Sequence, residues 1–592
     1  MKRGGRRFVW ITVILVAAFC GILFRLYWIQ MIAVHSFSQG EVDLVSAAEE
    51  QQSGVFVVDS GRGEILDRDG TSLTGAKDWR LIVFPLSDKQ WVAHRKKLEQ
   101  VARLVGYEFE AFRDQVQAMT RPQTLSDRKG KEKTLTEEQA RSIQRLAIPG
   151  IYALESDDRH NEGRPARQLL GRVEHQPFLA RSRYPEEGAG EPSGAPLRIG
   201  VTGLEAAFDP LLRGGEHNLL TYATDGRGRP LNGLHMKAEA GVDRIPYRIQ
   251  TTLDRKLQQQ VEKVLDEAGV VEGAVVVQEI TTGDILAMAS RPRPGEAGKK
   301  ENPWDNRALL EMTPGSIFKT VTALAALDTG KVKPGETFHC NGHLGRYGMK
   351  DAKPGGHGKQ TLAEAYANSC NVVFAQVAER VGGENLQDYA RRLGLGQRIL
   401  WSGKVFKEEQ FRQLPGEQTG VIFSAATAKN DRGAVAQTGI GQRDVKMTPL
   451  QAANMVTTLF QEGKTLNPRV VREIRRPDGE PYFRFPPHAL KTEEKIGDAA
   501  LQTVRQMMRQ AVTQGTAQSL KGASVRLGAK TGTAQRGPDQ DTYNKWMIGY
   551  GSYEQPRYSV AIVIRSVRKA DDMRAHQVFR QVMEGLVKKP NS

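Results

Sequence analysis

One long hydrophobic segment stands at the N-terminus, and the rest of the chain shows only short amphipathic or alternating segments. It covers residues 8–32 and follows a strongly basic stretch at residues 1–7. This length is enough for a helix to cross a bilayer, and the preceding basic residues predict a cytoplasmic N-terminus with the remainder outside. A cleaved signal peptide is the alternative, but its apolar part is shorter and no small-x-small cleavage site follows. The pattern favours an uncleaved membrane anchor.

Short apolar runs predict β-strands near both ends of residues 246–592. Residues 273–279 and 284–289 flank a Thr-Thr-Gly turn that is typical of a hairpin, and residues 545–553 and 558–566 form a second pair. The middle of this region is mostly helical, and a helix with one apolar face follows at the C-terminus. We therefore expect an α+β domain in which helices flank an antiparallel sheet built from the N- and C-terminal segments.

The region between the anchor and residue 245 has a different character. Residues 62–70 alternate and end in Asp-Gly, which predicts a strand and a turn. Residues 88–147 are helical and charged in pattern, whereas residues 184–196 have the composition of a flexible loop. We predict a separate module over residues 33–245, because 592 residues are too many for one core.

Composition narrows the classes of partner. The net charge is +16, and such a basic surface suits anionic lipid, an anionic cell wall or nucleic acid. Zinc-finger spacing, RNA-binding aromatic signatures and basic heptads are missing from the sequence, so no nucleic-acid partner is predicted. The three cysteines, Cys20, Cys340 and Cys370, are too few for a disulfide framework.

The most informative polar pattern lies in residues 312–320, just before an Ala-rich apolar run. Ser316 and Lys319 stand three positions apart there, which places them on one face of a helix. At a helix N-terminus the dipole favours developing negative charge, so this pair is suited to an activated serine. Ser126 and Lys129 have the same spacing, but their charged surroundings predict a solvated loop.

Two further motifs follow the serine–lysine pair in order along the chain. They are Ser369-Cys370-Asn371 and Lys530-Thr531-Gly532-Thr533. Each occurs once in the sequence. The ordered set S-x-x-K, S-x-N and K-T-G is the signature of penicillin-binding proteins and serine β-lactamases.

The whole chain resembles a class B penicillin-binding protein, a monofunctional peptidoglycan D,D-transpeptidase. Besides the anchor and the motifs, the resemblance rests on residues 62–70, on Gly203-Leu204-Glu205, and on residues 439–443 and 448–452. It implies a non-catalytic pedestal over residues 33–245 and a penicilloyl-serine-transferase domain, of the β-lactamase-like fold, over residues 246–592. Arg159-His160-Asn161 departs from the Arg-Tyr-Pro that relatives often carry.

The resemblance also implies a role for each motif residue. Ser316 is expected to attack the penultimate D-Ala carbonyl of a stem peptide, with Lys319 as its base. Ser369 and Asn371 are expected to lie in one helix over residues 361–380. Ser369 is expected to relay a proton to the leaving amine, and Asn371 to hold Lys319 or the substrate amide. Cys370 is expected to pack.

The third motif is expected to bind the substrate. Lys530 should lie on an edge strand and, with Thr531, Gly532 and Thr533, receive the terminal carboxylate. By resemblance, the backbone N–H groups of Ser316 and Thr533 form the oxyanion hole. Neither a cofactor nor a metal is predicted. The expected partners are D-Ala-D-Ala stem peptides, β-lactam antibiotics, the cytoplasmic membrane and a multi-pass glycan polymerase.

Two other patterns resemble binding sites but are not interpreted as such. His339, Cys340, His343 and His357 cluster in a Gly-rich stretch, but their spacing fits no standard zinc pattern. The Gly463-Lys464-Thr465 sequence resembles the end of a phosphate-binding loop, but Thr458 stands where the loop's first glycine belongs.

Competing functions use the same three motifs. A class A β-lactamase needs a Glu and an Asn close together between the second and third motifs, and no convincing pair is present. A D,D-carboxypeptidase, which hydrolyses the same acyl-enzyme, stays open. A β-lactam sensor is also possible, although it would carry several membrane spans or a signalling domain.

Overall fold

The computed structural model describes most of the chain. The described residues are 3–32, 53–59, 61–75, 77–126, 133–157, 159, 163–185, 198–213, 218–223, 238–239, 246–296, 302–490, 494–535 and 542–587. Residues 33–52, most of the predicted loop at 184–196 and the predicted boundary near residue 245 lie outside them.

The N-terminal segment forms one helix, Arg3–Tyr27, which continues as a π-helical turn over Trp28–Ile32. Within the described part of the chain, Phe8–Gln30 is the one stretch long and apolar enough to cross a membrane, and none of it is buried against protein. An exposed apolar helix needs a nonpolar surrounding. The helix therefore fits the predicted membrane anchor.

The first part of the pedestal is a small sheet covered by helices. Its central strand, Lys77–Val83, pairs antiparallel with three others: Gln123–Thr124, Thr134–Leu135 and Ile151–Asp157. The apolar faces of three helices, Asp88–Leu104, Phe109–Gln117 and Glu137–Leu146, close its core. The predicted helical character of residues 88–147 is confirmed over these three helices. Between the second and third helix lie the two short strands, and residues 127–132 lie outside the described residues.

The remaining pedestal elements are short. Ser53–Asp59 pairs with Asn218–Ala223, which also pairs with Ala238–Glu239. Val173–His175 pairs with Arg198–Gly200. The short helices are Arg167–Leu170, Pro177–Arg183, Gly203–Ala207 and Asp209–Leu212.

A mixed sheet connects the pedestal to the second domain. Ile65–Leu66 runs parallel to Arg248–Thr251, which pairs antiparallel with Val471–Arg475 and, through it, with Pro481–Arg484. A second connection comes from Gln168, whose side chain donates to the carbonyl of Pro292 at 2.8 Å. The two modules therefore share main-chain and side-chain hydrogen bonds.

A buried ion-pair network lies within the pedestal, and its Arg62 is close in sequence to the Ile65–Leu66 strand of this junction. Glu205 lies 3.0 Å from Arg62 and 2.7 Å from Arg159, and Arg62 is also 2.8 Å from Asp209. Burial alone would raise the pKa of Glu205, but Arg159 and Arg62 hold it at about 2. Glu205 is therefore ionised at neutral pH, and the resemblance at Gly203-Leu204-Glu205 has a structural explanation.

Replacing Glu205 by glutamine is expected to destabilise the pedestal by about 3 kcal/mol, because two buried guanidinium groups lose their shared carboxylate. The contribution of Glu205 is fully present above its ordinary pKa of 4.5 and is lost as the pH falls toward about 2. Pulse proteolysis of the full chain in urea measures this. Glu174→Gln, which breaks the half-exposed pair with Arg172, is the control and should change stability by less than about 1 kcal/mol. Equal effects of both variants would contradict the prediction.

The second domain is built on a five-stranded antiparallel sheet. Its strand order in space is Ile285–Arg291, Gly273–Glu279, Tyr558–Val567, Tyr543–Gly551 and Leu527–Gln535. The predicted union of N- and C-terminal segments in one sheet is confirmed, with strand ends within two residues of prediction. The K-T-G strand, Leu527–Gln535, lies at one edge.

Helices cover both faces of this sheet. Arg255–Glu267 and Arg574–Val587 pack on one face around a core of aliphatic side chains. The other face carries a larger core and the helical middle of the sequence. Its α-helices are Lys319–Asp328, Leu362–Ala367, Asn371–Val381, Gly383–Arg392, Arg432–Gly439, Pro449–Thr458 and Asp498–Gln514.

Small hairpins and 3-10 turns complete the domain. The paired strands are Thr337–Cys340 with Gly358–Thr361, His343–Leu344 with Met349–Lys350, and Ser402–Val405 with Glu408–Arg412. The 3-10 turns are Arg307–Leu309, Gly315–Phe318, Gly345–Tyr347 and Gln518–Leu520.

Candidate active site

The turn that carries Ser316 is pressed against the edge strand of the sheet. Ser316 lies in the 3-10 turn Gly315–Phe318, directly before the α-helix that begins at Lys319. Gly315 has φ 59°, and a Cβ there would lie 2.5 Å from the carbonyl oxygen of Thr533. Only glycine allows this approach. The first and third motifs are thus in main-chain contact.

Gly532, on the edge strand, also allows the Ser316 turn to lie close to this strand. A Cβ on Gly532 would lie 2.8 Å from the carbonyl oxygen of Pro314. Trp546, on the neighbouring strand, fixes the same segment by donating from its indole nitrogen to the carbonyl of Thr313 at 3.0 Å. Gly315, which directly precedes Ser316, and Thr533 are therefore main-chain neighbours, and the oxyanion hole expected at Ser316 and Thr533 stays a prediction.

Lys319 is fully buried, whereas Ser316, three residues before it, is partly exposed. Its Nζ donates to the carbonyl of Ser369 at 2.5 Å and to Oδ1 of Asn371 at 2.8 Å, and lies 3.4 Å from Oγ of Ser369. Burial lowers the pKa of Lys319 to about 7, although Cys370 and Asp351 oppose this. A neutral amine is therefore accessible near neutral pH.

Lys530 is the second fully buried amine of the site. Its Nζ donates to Oγ of Ser369 at 2.9 Å and to the carbonyl of Thr531 at 2.8 Å. Burial, together with the charge of Lys319, holds the pKa of Lys530 well below its ordinary value. Since two neighbouring buried ammonium groups repel each other, the pair favours a state in which one amine is neutral.

Ser369 lies between the two lysines because the chain breaks its helix there. The sequence predicts one helix over residues 361–380, but this is wrong: Leu362–Ala367 and Asn371–Val381 are separate helices. Ser369 has φ 57°, a left-handed conformation that costs about 1–3 kcal/mol outside glycine. The break points the Ser369 carbonyl at Lys319 and starts a new helix at Asn371.

The exposed side of the K-T-G strand carries two threonines. Thr531 and Thr533 are half-exposed, whereas Lys530 and Gly532 are buried. The hydroxyl of Thr531 lies 2.7 Å from that of Thr516, and the hydroxyl of Thr533 accepts from Nζ of Lys545 at 2.8 Å. Hydroxyls backed by a cation can receive a carboxylate.

Sequence reasoning missed Thr516 and Lys545. Lys545 stands opposite Thr533 in the strand register, and Thr516 follows the Asp498–Gln514 helix. Neither belongs to a motif, so only the predicted pairing of the strands could have pointed to Lys545. The predicted residues of all three motifs, in contrast, converge at one place.

The comparisons with known proteins agree with this geometry. Residues 273–584 match the family model of the penicillin-binding protein transpeptidase domain. The chain belongs to this family. Residues 57–243 match the penicillin-binding protein dimerisation domain, and the two matches together make the chain a class B penicillin-binding protein.

Individual relatives have low sequence identity to this chain, but the similarity extends over most of its length. Stage V sporulation protein D of Bacillus subtilis is 27% identical over 554 residues, which cover 89% of this chain and 77% of that protein. Peptidoglycan D,D-transpeptidase PbpA of Mycobacterium tuberculosis is 28% identical, with 62% of this chain and 75% of that protein covered. A chain from a peptidoglycan synthase complex has a TM-score of 0.66 at 24% identity with both chains fully covered, which supports the fold.

Proposed function

We propose that this class B penicillin-binding protein is a peptidoglycan D,D-transpeptidase that works through an acyl-enzyme on Ser316. The observation that carries the proposal is the convergence of two buried amines on the hydroxyl of Ser369, beside the Ser316 turn and the K-T-G edge strand. A nucleophile next to an amine of lowered pKa is the arrangement that activates serine.

In the acylation step, neutral Lys319 takes the Ser316 hydroxyl proton as Oγ bonds to the penultimate D-Ala carbonyl carbon. The backbone N–H groups of Ser316 and Thr533 would stabilise the oxyanion. Collapse of the tetrahedral species breaks the C–N bond. The leaving amine of D-Ala takes the proton through Ser369, whose hydroxyl reaches both lysines.

The acyl-enzyme is then consumed by an amine from a neighbouring stem peptide. The acceptor amine bonds to the same carbonyl carbon and its proton passes to the lysine pair. The ester bond to Ser316 then breaks as the lysine pair returns that proton to the Ser316 oxygen. Lys530, with Thr531 and Thr533, would hold the terminal carboxylate of the donor during the first step. β-Lactams inhibit by acylating the same serine.

Labelled penicillin separates this function from its alternatives. The label should stay bound for minutes, because water reacts slowly with the acyl-enzyme, whereas a β-lactamase would release it. With a stem pentapeptide and an amine acceptor, D-Ala release should be matched by cross-linked product. Release of D-Ala without cross-linking would instead show a D,D-carboxypeptidase.

The rate of acylation by a β-lactam should rise with pH through about 7. Lys319 acts only as the neutral amine, and that form accumulates above its lowered pKa of about 7. Between pH 6 and pH 8 the neutral fraction grows by about tenfold, and the second-order rate constant should follow it. Stopped-flow acylation with a reporter β-lactam measures this, and a flat profile would contradict the role of Lys319.

The catalytic domain is expected outside the cytoplasmic membrane, because one apolar helix follows a basic N-terminus. Protease added to intact spheroplasts should digest the bulk of the chain. A cytoplasmic protein probed in the same sample is the control. Protection of the bulk in intact spheroplasts would overturn the orientation.

A multi-pass glycan polymerase is the proposed membrane partner, and co-purification through the anchor would test it.

A further inference from the structure

Four metal-binding side chains converge directly behind the Ser369 turn. Cys340, Asp351, His357 and Cys370 each present one ligand atom, and these four atoms all lie within 4.8 Å of one another. We propose that they bind one zinc-class divalent cation, which fixes the turn carrying Ser369 and Asn371. The site is distinct from the catalytic residues but is joined to them through Cys370.

The donor atoms face each other and are shielded from solvent. Cys340 and Cys370 are buried, and the side chains of Asp351 and His357 are 0% and 13% exposed. Oδ2 of Asp351 lies 2.9 Å from Sγ of Cys370, 3.4 Å from Sγ of Cys340 and 3.6 Å from Nδ1 of His357. Nδ1 of His357 is buried and has no hydrogen-bond partner among the described residues.

These separations are close to those of a tetrahedral zinc site. Zinc bonds of about 2.0–2.3 Å place the ligand atoms of a tetrahedron roughly 3.3–3.8 Å apart. Two thiolates, one imidazole and one carboxylate are soft and borderline donors, which select zinc over magnesium or calcium. Four protein ligands leave no position open, so the chemistry is that of a structural metal.

The backbone around the cluster supports the same interpretation. The ligands come from the end of strand Thr337–Cys340, from both sides of the 352–356 loop, and from the break between two helices. Gly356 has φ 81°, and a Cβ there would lie 2.3 Å from the carbonyl oxygen of Cys340. The glycine therefore lets the segment before His357 fold back onto the segment that holds Cys340.

The cluster reaches the active site through the second motif. Cys370 stands between Ser369 and Asn371, whose carbonyl and amide oxygens hold Nζ of Lys319. Nδ2 of Asn371 also donates to the carbonyl of Lys350 at 3.2 Å, next to Asp351. A cation bound to Cys370 and Asp351 would tie both sides of this contact together and hold the left-handed Ser369 turn.

The structure thus revises the set considered from sequence. Of His339, Cys340, His343 and His357, only Cys340 and His357 belong to the cluster, while His339 and His343 are exposed. The other two ligands are Asp351 and Cys370, which sequence spacing did not connect with them. The spacing in the sequence fits no standard zinc pattern, and it is the fold that brings the four proposed ligands together.

Elemental analysis of the purified full chain tests the binding. After dialysis without chelator, about one zinc per chain is expected. His357→Ala and Cys340→Ser should each lower the zinc affinity by at least about ten- to a hundredfold, whereas the control His343→Ala should keep it. Zinc equally retained in all variants, no zinc in the wild type reloaded with zinc salt, or a Cys340–Cys370 disulfide in the protein isolated from its membranes would overturn the proposal.

The positioning role has a separate readout that rests on the proposed function. Chelation should slow penicillin acylation of the wild type by about tenfold or more, and zinc should restore the rate. The His357→Ala variant should be slow with or without chelator. Zinc binding with an unchanged acylation rate would overturn the positioning role. If Ser316 is not the acylated residue, the zinc content still stands as a test of the metal site.

Discussion

A Ser316→Ala variant is expected to lose acylation by penicillin and D-Ala release together. The Ser316 hydroxyl is the proposed nucleophile that forms the ester, and loss of a serine nucleophile typically lowers the rate by about a millionfold. Gly315 and the adjoining strand set the position of this residue through main-chain contacts, so the methyl side chain of alanine should leave the turn in place. Second-order acylation rates and D-Ala release measure the loss.

Ser126→Ala is the matched control for this variant. Ser126 belongs to the other S-x-x-K sequence, but it lies in the pedestal, where its carbonyl accepts from Tyr107 at 2.5 Å and from Gln115 at 2.9 Å. Those contacts involve the main chain and survive the substitution. The control should acylate at the wild-type rate. An unaltered rate in Ser316→Ala would refute the identity of the nucleophile.

Lys319→Arg is expected to slow acylation more than Lys530→Arg. A guanidinium does not deprotonate in proteins, so arginine at 319 removes the base, and loss of a general base typically costs about two to four powers of ten in rate. Arginine at 530 supplies a positive charge for the carboxylate and differs from lysine in shape and hydrogen-bond geometry. Both amines are fully buried, so the steric demands of the two substitutions are comparable.

The structure places both amines near the same hydroxyl, so the two variants can be compared directly. Lys530 lies 2.9 Å from the Ser369 hydroxyl and Lys319 lies 3.4 Å from it, so either amine has access to the relay. Acylation rates of the two variants, with thermal unfolding as the check on folding, decide between the roles. Equal losses, or the milder loss at Lys319, would mean that Lys530 takes part in proton transfer.

The sequence predicted which motif residues lie together because motif spacing reports local geometry. Ser316 and Lys319 are neighbours by helical spacing, and the short apolar runs at 545–553 and 558–566 predicted the strands that support Lys530. These are short-range properties. The sheet was predictable for the same reason, since its strands are short apolar runs bounded by turn residues.

The rest of the site depends on contacts between distant segments. The helix breaks at Ser369 although good helix-forming residues precede it. The broken conformation is stabilised by Lys319, whose amine donates to the Ser369 carbonyl and to the Asn371 side chain. Asp351 has no motif, and it meets Cys340 and Cys370 only because two hairpins and a helix end meet in space. Tertiary contacts override local propensity at both places.

Mass spectrometry of the penicillin-labelled protein tests the central claim most directly. After labelling and proteolysis, the peptide that contains Ser316 should carry the mass of the opened β-lactam, and fragmentation should place it on the Ser316 oxygen. The peptides that contain Ser126 and Ser369 should be unmodified. An adduct on either of those serines, with Ser316 free, would contradict the account.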